Sequence, residues 1–336
     1  MESRPCFPSR GQGSAEVTVR SPLAEPLFLG LEIGGTKLQA ALGNGQGQIG
    51  PSWRERVPPE ADAHTVRQLV VHGIRQLLQQ SGRSATEITA LGVGFGGPVD
   101  DKTGTVLQSF QIPGWSGFPL RDWLTDTFTW PTVVCNDAAV AALAEAHFGA
   151  GRGISPVFYT NIGSGIGGAL VVGGRVYRGF GRGATELGHV WIDYTWDEPW
   201  PQTTYWRDLE GGSSGWAIEH AVANVLGRTC TVPQALDLLR QGDPRVAMIW
   251  HRAVQRFALA LSHVVALLAP RRIVIGGGVS LAGDSFFGPL RQYLARLAFP
   301  ALAACDIVPA ALGELVVPHG ALLLARLGLE SLTFGS

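Results

Sequence analysis

Residues 27–42 read LFLGLEIGGTKLQAAL, an apolar run that is interrupted at residues 34–37 (GGTK) and then resumes. The pattern predicts two strands, at 27–33 and 38–42, joined by a glycine-rich turn. Such a turn can point several backbone N–H groups at an anionic ligand. The stretch therefore predicts a hairpin that can hold phosphate, although an ordinary hairpin has the same pattern.

The same arrangement returns later in the chain. An apolar strand at 156–162 runs into the glycine-rich residues 163–168, and a second strand follows at 169–172. A third apolar strand, Arg272 to Ile275, enters Gly276-Gly277-Gly278. Each turn alone is weak evidence for nucleotide binding. The internal match between the two hairpins is short, so chance also explains it. Three such turns together fit a nucleotide held by backbone donors, with its phosphates at the hairpins and its adenosine at the third turn.

Asp137 is the candidate general base. A short strand at 132–135 delivers Asn136 and Asp137 to the start of an alanine-rich helix at 138–147. A positioned carboxylate there can accept the proton of a sugar hydroxyl as a phosphoryl group arrives. Asn and Asp are also favoured as helix N-caps, so a purely structural role stays open. Both hold if Asn136 caps the helix and Asp137 faces a cleft.

Glu186 and His189 lie in a short segment flanked by glycines, residues 183–189 (GATELGH). A carboxylate and an imidazole can hydrogen-bond a pair of vicinal sugar hydroxyls. For an isolated pair, a solvated glutamate and a surface histidine explain the pattern equally well, so these residues are candidates only.

Composition excludes several classes of protein. The 336 residues are 46% hydrophobic, which is enough for a large core, and 26 basic against 27 acidic residues give a net charge of -1. No basic surplus points to nucleic acid, and no apolar run is long enough to span a membrane. The four cysteines are far apart and form no CxxC pattern, which favours a reduced, cytoplasmic protein.

Taken in order, these motifs and their neighbours resemble the ROK family of bacterial sugar kinases and sugar-responsive repressors. The resemblance covers about Leu27 to Leu327 and rests on six stretches: residues 32–37 (EIGGTK), 92–100 (GVGFGGPVD), 136–137 (ND), 161–168 (NIGSGIGG), 186–189 (ELGH) and 273–279 (IVIGGGV). It implies an α/β chain with the two-lobed actin-like ATPase and sugar-kinase fold, which is ribonuclease H-like, and a nucleotide cleft between the lobes.

The resemblance also implies a role for each matching residue. Asp137 is the general base. The nucleotide is held by Gly34, Gly35, Thr36 and Lys37 in the first phosphate loop, by Gly163, Ser164 and Gly165 in the second, and by Gly276, Gly277 and Gly278 at the adenosine. The sugar is bound by Asn136, Glu186, His189, Glu210 and Gly97. ATP and Mg²⁺ are the implied cofactors.

Three positions depart from the family pattern. Glu32 stands where the family usually has Asp, which keeps the charge near the metal and the phosphates. Gln111 stands where an Asn commonly precedes the Pro-Gly-Trp turn, which puts sugar selectivity in question. The stretch 190–208 has no cysteine where many members carry a zinc loop, so no structural zinc is expected. Four tryptophans in that stretch predict a loop held by aromatic packing: Trp191, Trp196, Trp200 and Trp206.

The predicted organisation is a flexible leader at 1–26, a small lobe at 27–135 to which 311–330 return, and a large lobe at 136–310. Apolar spacing predicts a helix at 63–81.

The expected function is glucokinase-like phosphorylation of a hexose by ATP, with polyphosphate left open as donor. The alternative is a non-catalytic sugar-binding or regulatory member of the family. The repressor branch is disfavoured because only 26 residues precede Leu27. A homodimer that binds neither nucleic acid nor membrane is expected.

Overall fold

The computed structural model describes residues 16–18, 26–109, 111–180, 185–193, 208–297, 299–300 and 304–334. The strands of this part are β1 (Glu16–Thr18), β2 (Leu27–Ile33), β3 (Lys37–Gly43), β4 (Ile49–Arg56), β5 (Ile88–Phe95), β6 (Val99–Asp100), β7 (Thr105–Val106), β8 (Thr132–Asn136), β9 (Val157–Ile162), β10 (Ile166–Val172), β11 (Arg175–Val176), β12 (Arg272–Gly276) and β13 (Asp306–Pro309). Its α-helices are α1 (Ala63–Ser81), α2 (Leu120–Phe128), α3 (Asp137–Phe148), α4 (Leu209–Ser213), α5 (Gly215–Leu226), α6 (Val232–Arg240), α7 (Pro244–Leu268), α8 (Asp284–Leu297) and α9 (Val316–Phe334).

Two sheets organise the chain, and they repeat one arrangement. The first has the order β1-β4-β3-β2-β5-β8, and the second has the order β11-β10-β9-β12-β13. In the first, β2 pairs antiparallel with β3 and parallel with β5. In the second, β9 pairs antiparallel with β10 and parallel with β12. The two predicted glycine-rich hairpins, β2–β3 and β9–β10, therefore occupy equivalent places in the two sheets.

Helices α3 and α9 join the sheets. Helix α9 packs on β2 and β5 of the first sheet, whereas α3 packs on β9 and β10 of the second, and the two helices contact each other. The close approach of α9 to the first sheet and to α3 depends on glycines, which have no side chain. A Cβ atom on Gly92 would lie 1.9 Å from the carbonyl oxygen of Ala321, and one on Gly320 would lie 2.0 Å from that of Val140. Glycine at these positions lets α9 touch the first sheet and α3 directly.

The fold has two main cores, one per sheet. The first is built from β2, β3, β5 and α1, with Trp53 and Trp115 among its fully buried side chains. The second is built around α7 and β12, with Trp250 and Phe257 at its centre. A further buried cluster joins α3, α9 and strands of the second sheet. Within the described ranges, no helix is long and apolar enough to span a bilayer.

Strand β1 pairs antiparallel with β4 at the edge of the first sheet. It lies inside residues 1–26, the segment predicted as a leader.

The carboxyl ends of β2, β5 and β8 run into residues 34–36, 96–98 and 137. Those of β9 and β12 run into residues 163–165 and 277–278. The elements that carry the predicted site thus end at the loops where ligands bind in open α/β sheets. The division of the chain into two lobes stays a prediction.

Candidate active site

Asn136 and Asp137 divide the two roles that the sequence left open. Asn136 is the N-cap of α3, and its side chain accepts a hydrogen bond from the Ala139 N–H at 3.2 Å. Its amide also donates to the carbonyl of Gly97 at 3.1 Å. Asp137 is the first residue of the helix. Asn136 is therefore the N-cap, and the role of Asp137 as general base stays a prediction.

Asp137 lies beside the first glycine-rich turn. A Cβ atom on Gly96 would lie 3.5 Å from Asp137 Oδ2 and 3.4 Å from the Cα atom of Gly34. The ends of three neighbouring strands, β2, β5 and β8, therefore meet at this carboxylate. One carboxylate oxygen accepts the Ala138 N–H at 2.7 Å.

The surroundings of Asp137 make its carboxyl group a better base. Burial raises its pKa to about 7, and the negative charges of Glu32 and Glu186 act in the same direction. The Ala138 N–H and the Lys37 ammonium oppose the shift. A carboxylate that gives up its proton near neutral pH is suited to general-base work. Such shifts cluster at functional sites, although structural networks also produce them.

The first turn is anchored by an ion pair. Lys37 Nζ lies 3.2 Å from Glu32 Oε1, and the Gln39 amide donates to Glu32 Oε2 at 2.8 Å. Glu32 is 5% exposed, and burial raises its pKa while Lys37 and Gln39 oppose the rise. The Gly34 N–H donates to the carbonyl of Lys37 at 3.0 Å and closes the turn. Lys37 thus forms an ion pair within the turn, and the phosphate-binding role that the resemblance implies for it stays a prediction.

The second and third turns converge on the start of α5. The Gly163 N–H donates to the carbonyl of Gly165 at 2.9 Å, and the Gly215 N–H donates to the carbonyl of Gly163 at 2.8 Å. Gly277 has a φ of +86°, and a Cβ atom there would lie 2.3 Å from the carbonyl oxygen of Ile162. Glycine is therefore required at 277 by both conformation and space. The first residue of α5 was not predicted as part of this group.

Three of the five candidate sugar ligands, Glu186, His189 and Glu210, lie close together. The Ile166 N–H donates to Glu210 Oε2 at 2.7 Å, so Glu210 ties its helix to the second hairpin. A Cβ atom on Gly188 would lie 3.4 Å from the same oxygen. Burial raises the pKa of Glu186, and Glu210 adds to the rise while His189 opposes it. Glu210 therefore serves as a positioning group as well as a candidate ligand.

His189 is oriented by a carboxylate that sequence reasoning missed. Its Nδ1 atom lies 3.5 Å from Asp208 Oδ2, and this hydrogen bond is the main cause of a raised His189 pKa. Asp208 is 5% exposed and is the N-cap of α4, accepting the Gly211 N–H at 2.8 Å. The only sequence feature that could have identified Asp208 as part of the site was its position two residues before Glu210.

Gln111, one of the departures from the family pattern, lies against the first turn. A Cβ atom on Gly35 would lie 1.4 Å from Gln111 Oε1. The longer amide therefore covers the backbone of the first glycine-rich turn. Of the four tryptophans in the stretch 190–208, Trp196, Trp200 and Trp206 lie outside the described residues. In the described part of the chain, no three His, Cys, Asp or Glu side chains are grouped so as to hold a metal ion.

Comparisons with known proteins agree on one family. The sequence profile of the ROK family matches residues 28–327. A kanosamine kinase from Amycolatopsis mediterranei is 31% identical over 311 residues, covering 91% of this chain and 98% of the relative. A glucokinase from Halalkalibacterium halodurans is 28% identical over 303 residues, covering 84% and 89% of the two chains.

A solved structure extends the agreement to the fold. The chain superposes on a ROK family glucokinase from Streptomyces griseus, solved in complex with glucose and AMPPNP, with a TM-score of 0.76 and 28% identity. The match covers 90% of this chain and 99% of that structure. The predicted actin-like sugar-kinase fold is confirmed.

Proposed function

This chain belongs to the ROK family, and from that premise we propose that it is an ATP-dependent hexose kinase in which Asp137 is the general base. The observation that carries the proposal is the position of Asp137. Its carboxyl group lies at the first turn, beside Gly34 and Gly96, and its pKa is raised to about 7. The related glucokinases and kanosamine kinase support a six-carbon sugar as substrate.

In the proposed reaction, Glu186, His189 and Glu210 bind sugar hydroxyls and hold the acceptor beside Asp137. Asp137 takes the proton of the reacting hydroxyl while that oxygen forms its bond to the γ-phosphorus of ATP. The bond between the γ-phosphorus and the bridging oxygen breaks, and ADP leaves. Little covalent chemistry is left for the protein, so positioning and electrostatics carry the catalysis.

The site also fits Mg²⁺. This ion prefers oxygen ligands and is usually held by one or two carboxylates together with substrate phosphates. The carboxylate of Glu32 lies at the first turn, where the phosphates are proposed to bind, and would be the protein's part of the site. When bound, Mg²⁺ neutralises charge on the transferring phosphoryl group.

A sugar panel tests the proposal. ADP release would be followed with glucose, mannose, fructose, kanosamine and N-acetylglucosamine, each with ATP and with polyphosphate. We expect turnover with ATP and at least one hexose, with glucose the first choice. Binding of a sugar by calorimetry with no turnover of any donor would favour the non-catalytic alternative.

The raised pKa of Asp137 predicts the pH dependence. The base acts in its ionised form, which is lost as pH falls through about 7. The logarithm of kcat/KM for the sugar, measured at saturating ATP and Mg²⁺, should therefore fall by about one per pH unit below pH 7. Samples held at pH 5.5 and assayed at pH 8 control for inactivation. A flat profile between pH 5.5 and 8 would contradict the assignment, because an unshifted aspartate is already ionised throughout that range.

A further inference from the structure

An exposed aromatic pair lies on α5 at the edge of the second phosphate loop. Trp216 is the second residue of the helix, and its side chain is 48% exposed. Its ring stacks with that of His220, four residues along the same helix face, with the ring centroids 5.5 Å apart and the planes at 23°. Half of a large indole ring in solvent is unusual, because Trp is among the most buried side chains on average.

The backbone contacts of α5 place this pair beside the predicted nucleotide. Gly215, which directly precedes Trp216, donates to Gly163 in the second phosphate loop. A Cβ atom on Gly215 would also lie 3.5 Å from Val279, the residue that follows the third glycine turn. The first turn of α5 therefore touches both the predicted phosphate loop and the predicted adenosine turn.

A nucleotide spanning those two loops carries its base past the start of α5. Nucleotide bases stack well on aromatic side chains, and this stacking tolerates any base because every base has a π-face. The phosphate loops bind through backbone donors and do not distinguish a nucleotide from another polyphosphate chain. A separate contact is therefore needed if the donor is to be selected through its base.

Resting on the proposed function, we propose that Trp216 is the stacking residue for the base of the donor nucleotide. Its ring then gives the site its preference for a nucleoside triphosphate over inorganic polyphosphate. His220 lies against the indole and holds its plane. Trp216 is thus a specificity-determining residue for the donor and has no part in proton transfer.

The test measures binding without turnover. Dissociation constants for ADP and for tripolyphosphate, which has phosphates but no base, would be measured by calorimetry for the wild type and for Trp216→Ala. One base–ring stack corresponds to roughly a 5- to 150-fold change in affinity. We therefore expect Trp216→Ala to weaken ADP binding about tenfold, with tripolyphosphate and sugar affinities unchanged. Trp216→Phe keeps an aromatic ring and should recover most of the ADP affinity.

Leu267→Ala is the matched control, because Leu267 is 81% exposed and lies on a different helix, α7, next to its last residue. It should bind both probes like the wild type. Unchanged ADP affinity in Trp216→Ala would overturn the inference. If the oligomeric state of that variant also changed, the ring would belong to an interface between copies of the chain instead. Equal weakening of ADP and tripolyphosphate would also overturn it, since the ring would then support the phosphate loop. A wild type that binds no ADP would overturn the proposed function as well.

Discussion

Replacing Asp137 with asparagine is expected to lower kcat by roughly 10²-fold or more while leaving sugar binding close to normal. Asparagine keeps the shape of the side chain and can still accept a hydrogen bond from the Ala138 N–H, but it cannot take up a proton. The lost function is the one that Asp137 is proposed to supply when the hydroxyl attacks. Steady-state kinetics give kcat, and calorimetry with the sugar gives the dissociation constant.

Asp284→Asn is the control for this change. Asp284 is also the first residue of a helix, α8, and it lies outside the candidate site. It should leave kcat unchanged, which separates the loss of a base from the loss of a helix-terminal charge. If Asp137→Asn turns over at a rate near that of the wild type, Asp137 is not the base.

The largest effect on stability is expected at Glu145, a fully buried carboxylate near the end of α3. One oxygen accepts the N–H groups of Ala311 and Leu312 at 2.9 Å and 2.8 Å, and the other accepts that of Ala150 at 2.7 Å. Glu145 therefore fixes the end of α3 to the segment that leads into α9.

Glu145→Ala leaves three N–H groups without their acceptor, and a hydrogen bond to a charged acceptor contributes about 1.5–3 kcal/mol. Because the three losses are not independent, we expect a fall of about 3–5 kcal/mol in the free energy of unfolding. Glu145→Gln keeps one acceptor oxygen and should fall between the wild type and Glu145→Ala. Urea denaturation followed by circular dichroism measures all three.

Glu314→Ala provides the comparison. Glu314 forms an exposed ion pair with Arg54, and such pairs contribute about 0–1 kcal/mol. Similar denaturation midpoints for Glu145→Ala and Glu314→Ala would show that the three N–H groups find other acceptors, such as water.

Local sequence predicted the elements with strong patterns. Helix α1 was predicted at its observed bounds, because Val66, Val70 and Ile74 repeat at helical spacing. Asp62 caps its start, and Gly82 ends it in the left-handed conformation. Strand β4 and helix α8 were not predicted. Pro51 and Pro289 interrupt their patterns, and only pairing with β3 and packing on α7 reveal them.

The candidate site shows a similar limit. The glycine turns and Asp137 were visible because each follows an apolar strand. Asp208 and Glu145 were not, because their partners are His189 in one case and Ala311 in the other, and such contacts are set by the fold. Trp216 was equally hidden, since the position of its helix beside the second glycine-rich turn depends on the Gly215–Gly163 hydrogen bond.

The raised pKa of Asp137 also makes the active site a source of instability. The folded chain holds this proton more tightly than the unfolded chain, in which the carboxyl has its ordinary pKa of 3.8. Stability therefore falls as pH rises from about 4 to about 7, the value in the folded protein. Each pKa unit corresponds to about 1.4 kcal/mol, an upper bound here because Asp137 is only half-buried. The inactive Asp137→Asn protein should consequently melt at a higher temperature than the wild type at pH 8, and the difference should shrink toward pH 4. If Asp137 is the base, ionising this carboxylate at neutral pH costs the protein part of its folding free energy.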